Sequence, residues 1–314
     1  MSAMEKRYDI LCVGVALVDS LIRGFDPEPI SAAGYRAESG SLSVGGEAVN
    51  EAMAAAKLGM RTGILCALGD DAAGDMVENS LRRCGVDTAL ILRSAEHPTP
   101  VTTMFVRADG TRRSITNTAH RYNFHPERCG ESLRTARALL LGSLFRAPFD
   151  DPEIIRSVLE IAHEAGETVF ADTKLPNFRA LTLADLAESL PLIDWITPNE
   201  DEARYYSGRE EPAEMAAAFL EKGVRNVIIK RGAQGCYYRG EAGELSLPAC
   251  AIEAVDATGA GDNFLAGFAS ELLRGGSTEE ALRFANACGA ICTTAVGAST
   301  ALRSREQVLR FMEA

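Results

Sequence analysis

Short runs of apolar and β-branched residues at 10–15, 62–68, 101–106, 138–142, 168–172, 195–197 and 227–230 punctuate the chain. Stretches of helical periodicity at 48–58, 74–84, 152–165, 212–222, 262–274 and 278–294 lie between most of them. Strand and helix patterns in alternation predict β-α-β units, and hence an α/β fold with a doubly wound, mostly parallel central sheet flanked by helices. Ligands of such sheets bind beyond the carboxyl ends of the strands. Asp172, Asn199 and Lys230 fall at or just past such ends, which favours a site there.

Two segments break the alternation. Residues 20–44 mix Gly, Pro and Ser with alternating polar and apolar positions, and 99–118 read as a hairpin turning at Ala108-Asp-Gly110. Together they predict a small accessory β-sheet set over the strand ends as a lid. No repeat, low-complexity tract or long linker interrupts the chain. The expectation is one domain, 1–314, with the lid segments 20–44 and 99–118 inserted.

Composition narrows the function classes. The 314 residues are 46% hydrophobic and 24% charged, ordinary for a globular protein, and no run approaches the roughly 18 apolar residues of a membrane span. The first residues lack the long apolar region of a signal peptide, so a cytoplasmic protein without a membrane partner is expected. A net charge of −12 argues against nucleic acid as a partner, because phosphate backbones need clustered Lys and Arg. Eight scattered cysteines include no Cys-x2-Cys pair, and Cys288 and Cys292, four apart, read as small core fillers.

The chemistry concentrates late in the chain. In Val255-Asp-Ala-Thr-Gly-Ala-Gly-Asp262 a glycine turn runs directly into a helical pattern. A helix start offers unpaired N–H donors and roughly half a positive charge, a ready anion site. Asp262 opposes an anion unless it is there to take a proton, and a cradle beside a base is what phosphoryl transfer to a hydroxyl needs. The bland alternative, a capping Asp after a Gly-rich turn, is equally compatible with these eight residues alone. No third small residue completes a dinucleotide fingerprint, and no Walker-type phosphate loop occurs.

A second glycine turn lies early, in Ser43-Val-Gly-Gly-Glu-Ala-Val-Asn50, and feeds an Ala-rich helix. Gly45-Gly46-x3-Asn50 together with Asp256-x-Thr-Gly-Ala-Gly-Asp262 resembles the paired signatures of the ribokinase-like (PfkB) carbohydrate kinases. Val15-Ala-Leu-Val-Asp19, Thr197-Pro-Asn-Glu-Asp-Glu-Ala203, Ile229-Lys-Arg-Gly-Ala-Gln-Gly235 and the stretch from Asn286 to Ala298 extend the resemblance over nearly the whole chain.

That resemblance implies an ATP-dependent sugar kinase using magnesium, with the ribokinase-like fold and a lid that also serves homodimers. It implies Asp262 as catalytic base and the backbone N–H groups of Gly259, Ala260 and Gly261 as the anion hole. Asp19, Gly45, Gly46 and Asn50 match sugar contacts. Lys230, Gly232, Gly235 and Asn286 match nucleotide-facing positions. Asn199 and Glu202 match the group that organises magnesium, through water, since that ion keeps several waters; a capped helix start is their alternative reading. Part of the family holds a monovalent cation beside the position of Asp256. Here Ala301 stands where some members offer a serine hydroxyl, which counts against potassium.

The acceptor is less legible. Asp172-Thr-Lys-Leu-Pro-Asn177 departs from the Asp-Pro-Asn-x-Arg pattern of acid-sugar members, with Pro176 at the arginine position, and Lys174 reads as a surface-loop lysine, with a place facing the acceptor or the phosphates as its alternative. Arg107, Arg112, Arg113 and Arg121 cluster around the hairpin, where arginines also guard an exposed edge. The expectation is a primary hydroxyl of a neutral pentose or hexose. A nucleoside kinase, with Phe105, Tyr122 and Phe124 under the lid, and a non-catalytic sugar-binding regulator on the same fold are the alternatives.

Overall fold

The computed structural model describes residues 6–24, 36–107, 111–117, 124–177 and 179–313. The expected turn at 108–110, residues 25–35 of the lid segment, Thr118, Arg121 and Tyr122 lie outside the described residues.

The central sheet has eight strands. In chain order they are β1 (Tyr8–Val13), β4 (Thr62–Leu65), β9 (Ala136–Leu144), β10 (Thr168–Thr173), β11 (Trp195–Ile196), β12 (Asn226–Lys230), β13 (Cys236–Gly240) and β14 (Gly243–Leu247), and across the sheet they run β14-β13-β12-β11-β10-β9-β1-β4. Every pairing from β4 through β12 is parallel, and β13 and β14 close the far edge antiparallel. The antiparallel edge was not evident from apolar patterning, because its strands carry Arg, Glu, Gly and Ser facing water.

Alternate strand residues serve two cores, as the pleat requires. Ile10, Cys12, Ile64, Leu140, Phe170 and Ile228 pack with helices α1 (Glu47–Lys57), α2 (Ala72–Arg83), α6 (Ala260–Leu273) and α7 (Thr278–Cys292). Leu11, Val13, Leu139, Leu141, Val169 and Ile229 pack on the opposite face with α3 (Pro152–Glu164) and α5 (Pro212–Leu220). Helices therefore cover both faces, and the cysteines read as core fillers, Cys288 and Cys292, are buried in α7. Two helices escaped the periodicity reading, α4 (Glu200–Ser207) and α8 (Arg305–Glu313), whose exposed faces leave few apolar positions to count. No described helix is long and apolar enough to cross a membrane.

A separate four-stranded sheet contains β2 (Leu17–Arg23), β3 (Ser39–Gly45), β7 (Val101–Val106) and β8 (Arg112–Thr116) in the order β3-β2-β7-β8. The two segments that broke the alternation do form one sheet, though β2 begins three residues earlier than the break. The run expected at 62–68 is two strands, β4 and β5 (Ala67–Gly69), and β5 leaves the main sheet to pair with β6 (Leu92–Ser94).

Candidate active site

The fold brings the two glycine turns together. Gly46 precedes α1 at φ 98°, and a Cβ there would lie 2.3 Å from the Val15 carbonyl oxygen. Gly259 precedes α6 at φ 77°, with a would-be Cβ 2.3 Å from that of Ala298. Both helices thus start where only glycine fits, and their starts face each other across the carboxyl ends of β1, β9 and β10. The junction is a hydrogen bond from Asn50 Nδ2 to Asp262 Oδ2, 2.7 Å long and spanning 212 positions. Asn50 and Asp262 are 7% and 5% exposed, so the contact is dry.

No side chain caps α6. Its first-turn N–H groups have no intrahelical acceptor, and Ala260 turns its own back to the Ala257 carbonyl at 3.2 Å. Asn263 Nδ2 donates to the carbonyls of Gly259 and Ala298, both at 2.8 Å, and so fixes the turn. A Cβ on Gly261 would lie 3.0 Å from Lys230 Nζ, so the ammonium from the end of β12 stands directly beside this helix start.

Lys230 is held by Asp172 from the end of β10, Nζ to Oδ1 at 2.6 Å, and Thr197 donates its hydroxyl to the same oxygen at 2.9 Å. Lys174 lies 3.7 Å from Asp172 Oδ2 and 3.9 Å from Glu47 Oε1. It is no surface-loop lysine. Its backbone is tied to Leu144 and Tyr206, and its ammonium turns inward. Burial alone would lower the Lys174 ammonium, but Asp172, Asp262, Glu47 and Glu202 outweigh it and hold the charge firmly. Burial likewise pushes the Asp172 carboxyl up, and the two lysines prevail and keep it below the usual carboxylate range. Asp262 has weaker compensation. Burial, with Glu47 and Asp172 adding repulsion against Lys174 and Asn50, raises it to about 6.

The other side of the cleft belongs to the second sheet. A Cβ on Gly45 would lie 2.2 Å from Asp19 Oδ2, so the missing side chain is what admits that carboxylate. Burial, helped by Glu47, raises Asp19 to about 6. The wall nearest α1 is therefore acidic, with Lys174 the cation facing Glu47.

Asn199 and Glu202 sit next to the Lys230 strand end. Asn199 bridges Lys230 in parallel register and caps α4. Its Oδ1 accepts from Glu202 N–H at 2.9 Å, and Glu202 Oε2 accepts from Asn199 N–H and from the Thr173 hydroxyl, each at 2.9 Å. Capping and proximity to the site hold together here. The remaining expected residues lie farther along. Gly232 opens the short turn after β12, and a Cβ on Gly235 would strike the Leu247 carbonyl. Asn286 donates to the neighbouring Pro248 carbonyl at 3.2 Å. Asp256 accepts from the Thr258 N–H and hydroxyl and from Gly297 N–H, at 3.0, 2.7 and 3.0 Å, which ties its loop to the one before Ala301.

Sequence reasoning missed Glu51 and Ser143. Glu51 is fully buried next to Asn50, and its signal was a charge directly before the apolar stretch 52–56 of α1. Ser143 is buried near the end of β9 at φ 68°, an uncommon conformation for a non-glycine residue, and no local sequence signal marks it.

The raised Asp262 carboxyl has a stability signature. Its folded value, about 6, exceeds the ordinary aspartate value of 3.8, so the folded state binds the proton more tightly and wild-type stability falls as pH rises between the two. Asp262→Asn removes that cost. The variant is expected to match wild type near the lower value and to exceed it by up to about 3 kcal/mol at neutral pH. Urea unfolding at several pH values measures this, and a gap that does not widen with pH contradicts it.

Comparisons with known proteins identify the family. Residues 10–305 match the pfkB family carbohydrate kinase. The chain is 31% identical to ribokinase of Haemophilus influenzae over 281 residues, 87% of this chain and 88% of that one. Its fold superposes on Arabidopsis thaliana ribokinase complexed with ribose and ATP at a TM-score of 0.85, with 27% identity and 98% and 99% of the two chains covered. A putative ribokinase II from E. coli in complex with ATP and Mg2+ gives 0.80, with 25% identity and coverage of 97% and 99%. An Asn–Asp junction between two glycine turns, lysines at the strand ends and a match over nearly the full length lead to one conclusion: the chain belongs to the pfkB family of carbohydrate kinases and is an ATP-dependent sugar kinase.

Proposed function

We propose that the enzyme transfers the γ-phosphoryl group of ATP to a primary hydroxyl of a neutral pentose or hexose, with Asp262 as the base. The observation that carries this reading is the Asn50–Asp262 hydrogen bond. It places a nearly buried carboxylate in the first turn of α6 directly beside the residues of the first glycine turn. The sugar sits against Asp19, Gly45, Gly46 and Asn50, and the acidic wall of Asp19 and Glu47 favours hydroxyl donors over an anionic acceptor. Asp262 accepts the hydroxyl proton as the new O–P bond forms and the bond to the leaving diphosphate breaks. The N–H groups at Gly259 and Gly261 face the transferring phosphoryl, with Ala260 shaping the turn, and Lys230 adds a full charge beside Gly261.

Magnesium, when bound with the nucleotide, neutralises phosphate charge. Asn199 and Glu202 suit it through water, because their nearest oxygens are committed to each other and to Thr173. Gly232, Gly235 and Asn286 line the nucleotide side of the β12–β13 turn. Potassium is left out of the proposal: the Asp256 carboxylate is committed to Thr258 and Gly297, and Ala301 adds no hydroxyl. The chain 1–314 acts as one kinase unit in which the second sheet closes as a lid and excludes water from the phosphoryl group.

That sheet also supports a homodimer. Leu42 and Ile115 are 62% and 68% exposed, and the register Leu42–Ser20–Thr103–Ile115 places them on one face at its two edges. Exposed apolar side chains on one sheet face favour pairing with a second copy. The double variant Leu42→Asp, Ile115→Asp is expected to sediment as a monomer while wild type sediments as a dimer. A monomeric wild type contradicts the dimer.

Catalysis is tested by an ATP-consumption screen over pentoses, hexoses, keto-acid sugars and nucleosides, followed by Asp262→Asn on the accepted substrate. Turnover is expected to fall roughly 10²–10⁴-fold while sugar binding persists. Near-normal turnover of the variant contradicts Asp262 as base, and tight sugar binding without any turnover by wild type points to a sensor.

A further inference from the structure

Glu51 is the most exacting residue in the molecule to explain. It lies one turn into α1, is 0% exposed, and neither carboxylate oxygen has a hydrogen-bond partner among the described residues. Asp262, Asp172, Glu47 and Lys174 are the charged groups that act on it. Its carboxylate and those of Asp172 and Asp262 have oxygens within 4.8 Å of one another. Glu47 precedes it by one turn on the same helix face, Lys174 follows β10, and Lys230 holds the far oxygen of Asp172. Below it the backbone of Gly142 on β9 presses close, since a Cβ there would lie 3.2 Å from Glu51 Oε2. The Cys12 thiol of β1 is also near, and burial together with Glu51 raises it.

Three carboxylates this close in a dry site do not all stay ionised. The lysines settle which one yields. Asp172 has Lys230 at hydrogen-bond distance and Lys174 nearby, and Asp262 has Asn50, whereas Glu51 has neither a cation nor a donor in contact. Asp172 Oδ2 meanwhile, with the Lys174 ammonium 3.7 Å away, is a buried acceptor that receives no hydrogen bond among the described residues. One proton on Glu51 answers both facts, turning a repelling anion into the donor that the neighbouring oxygens lack.

We propose that Glu51 is carried as a neutral carboxylic acid that donates a hydrogen bond into the Asp172–Asp262 carboxylate pair and so positions the base. Glu51, fully buried, is a positioning residue acting through Asp262, and the proposal rests on the reading of Asp262 as base. Burial, then the like charges of Asp262, Asp172 and Glu47, favours the protonated form against the opposing pull of Lys174. Neutral Glu51 keeps the total negative charge low enough for Asp262 to remain an anion at working pH.

Glu51→Gln preserves shape and a donor, and Glu51→Leu removes the donor. Difference infrared spectra of wild type against Glu51→Gln at neutral pH are expected to show one protonated-carboxyl band belonging to wild type. The melting temperature of Glu51→Gln is expected to gain on wild type as pH rises above the ordinary glutamate range, because wild type alone then carries the cost of holding a proton or a buried charge. Neither readout needs an acceptor sugar, so their failure is distinguishable from failure of Asp262 as base. In turnover, Glu51→Gln is expected within about threefold of wild type. Glu51→Leu is expected about tenfold slower, with similar KM and the acidic limb of its pH profile moved upward. The proposal is overturned if the protonated band is absent, if Glu51→Gln fails to fold or is as slow as Glu51→Leu, or if Glu51→Leu leaves rate and profile unchanged. Binding of Mn2+ to the nucleotide-free protein that Glu51→Gln abolishes also overturns it, since a metal rather than a proton would then balance the cluster.

Discussion

The proposed reaction depends on keeping Asp262 an anion in a place with almost no water. Burying a carboxylate costs several kcal/mol unless charges or hydrogen bonds offset it. Here the offset is deliberately partial. Asn50 supplies one hydrogen bond, Lys174 supplies charge at a distance, and Lys230 is spent on Asp172 instead. Asp172, fully compensated, sits below the usual range, while Asp262 rises to about 6. Two carboxylates from neighbouring elements thus divide the work. One anchors the cations, and the other is, in the proposed reaction, the group basic enough to take a proton near neutral pH.

The architecture around this pair follows from the same constraint. A parallel sheet covered on both faces delivers Asp172, Lys230 and the Asn199 turn to one edge, because every strand from β4 to β12 points the same way. Glycine turns at Gly46 and Gly259 let two helix starts approach closely enough for Asn50 to reach Asp262. The second sheet contributes Asp19 from β2 and completes an acidic wall opposite the cationic floor. In the proposed reaction a cleft split this way would sort its ligands by charge, polyphosphate toward Lys230 and the helix start and hydroxyls toward Asp19 and Asn50.

Much of this was legible in the sequence, for identifiable reasons. Strands buried on both faces are continuous apolar runs, and long amphipathic helices declare their period, so the doubly wound sheet and its main helices follow directly from the pattern. The motif Thr258-Gly-Ala-Gly-Asp262 and the Gly45-Gly46-x3-Asn50 segment each had a structural reading as a glycine turn before a helix, and only their joint resemblance to the paired signatures of the family pointed to one site. The polar edge hairpin of β13 and β14 and the short α4 and α8 carried no such periodicity. Lys174 was mistaken for a loop lysine because sequence does not show where a side chain turns after a strand. Glu51 looked like one more residue of an Ala-rich helix, and only the convergence of β10 and α6 upon it gives it meaning.

The most direct measurement is the pH dependence of kcat/KM for the accepted sugar at saturating ATP and magnesium. Asp262 must be ionised to accept the hydroxyl proton, so the rate is expected to climb with pH through an apparent pKa of about 6 and then level off. A rate that stays flat across that range, or that falls as Asp262 ionises, would contradict the account.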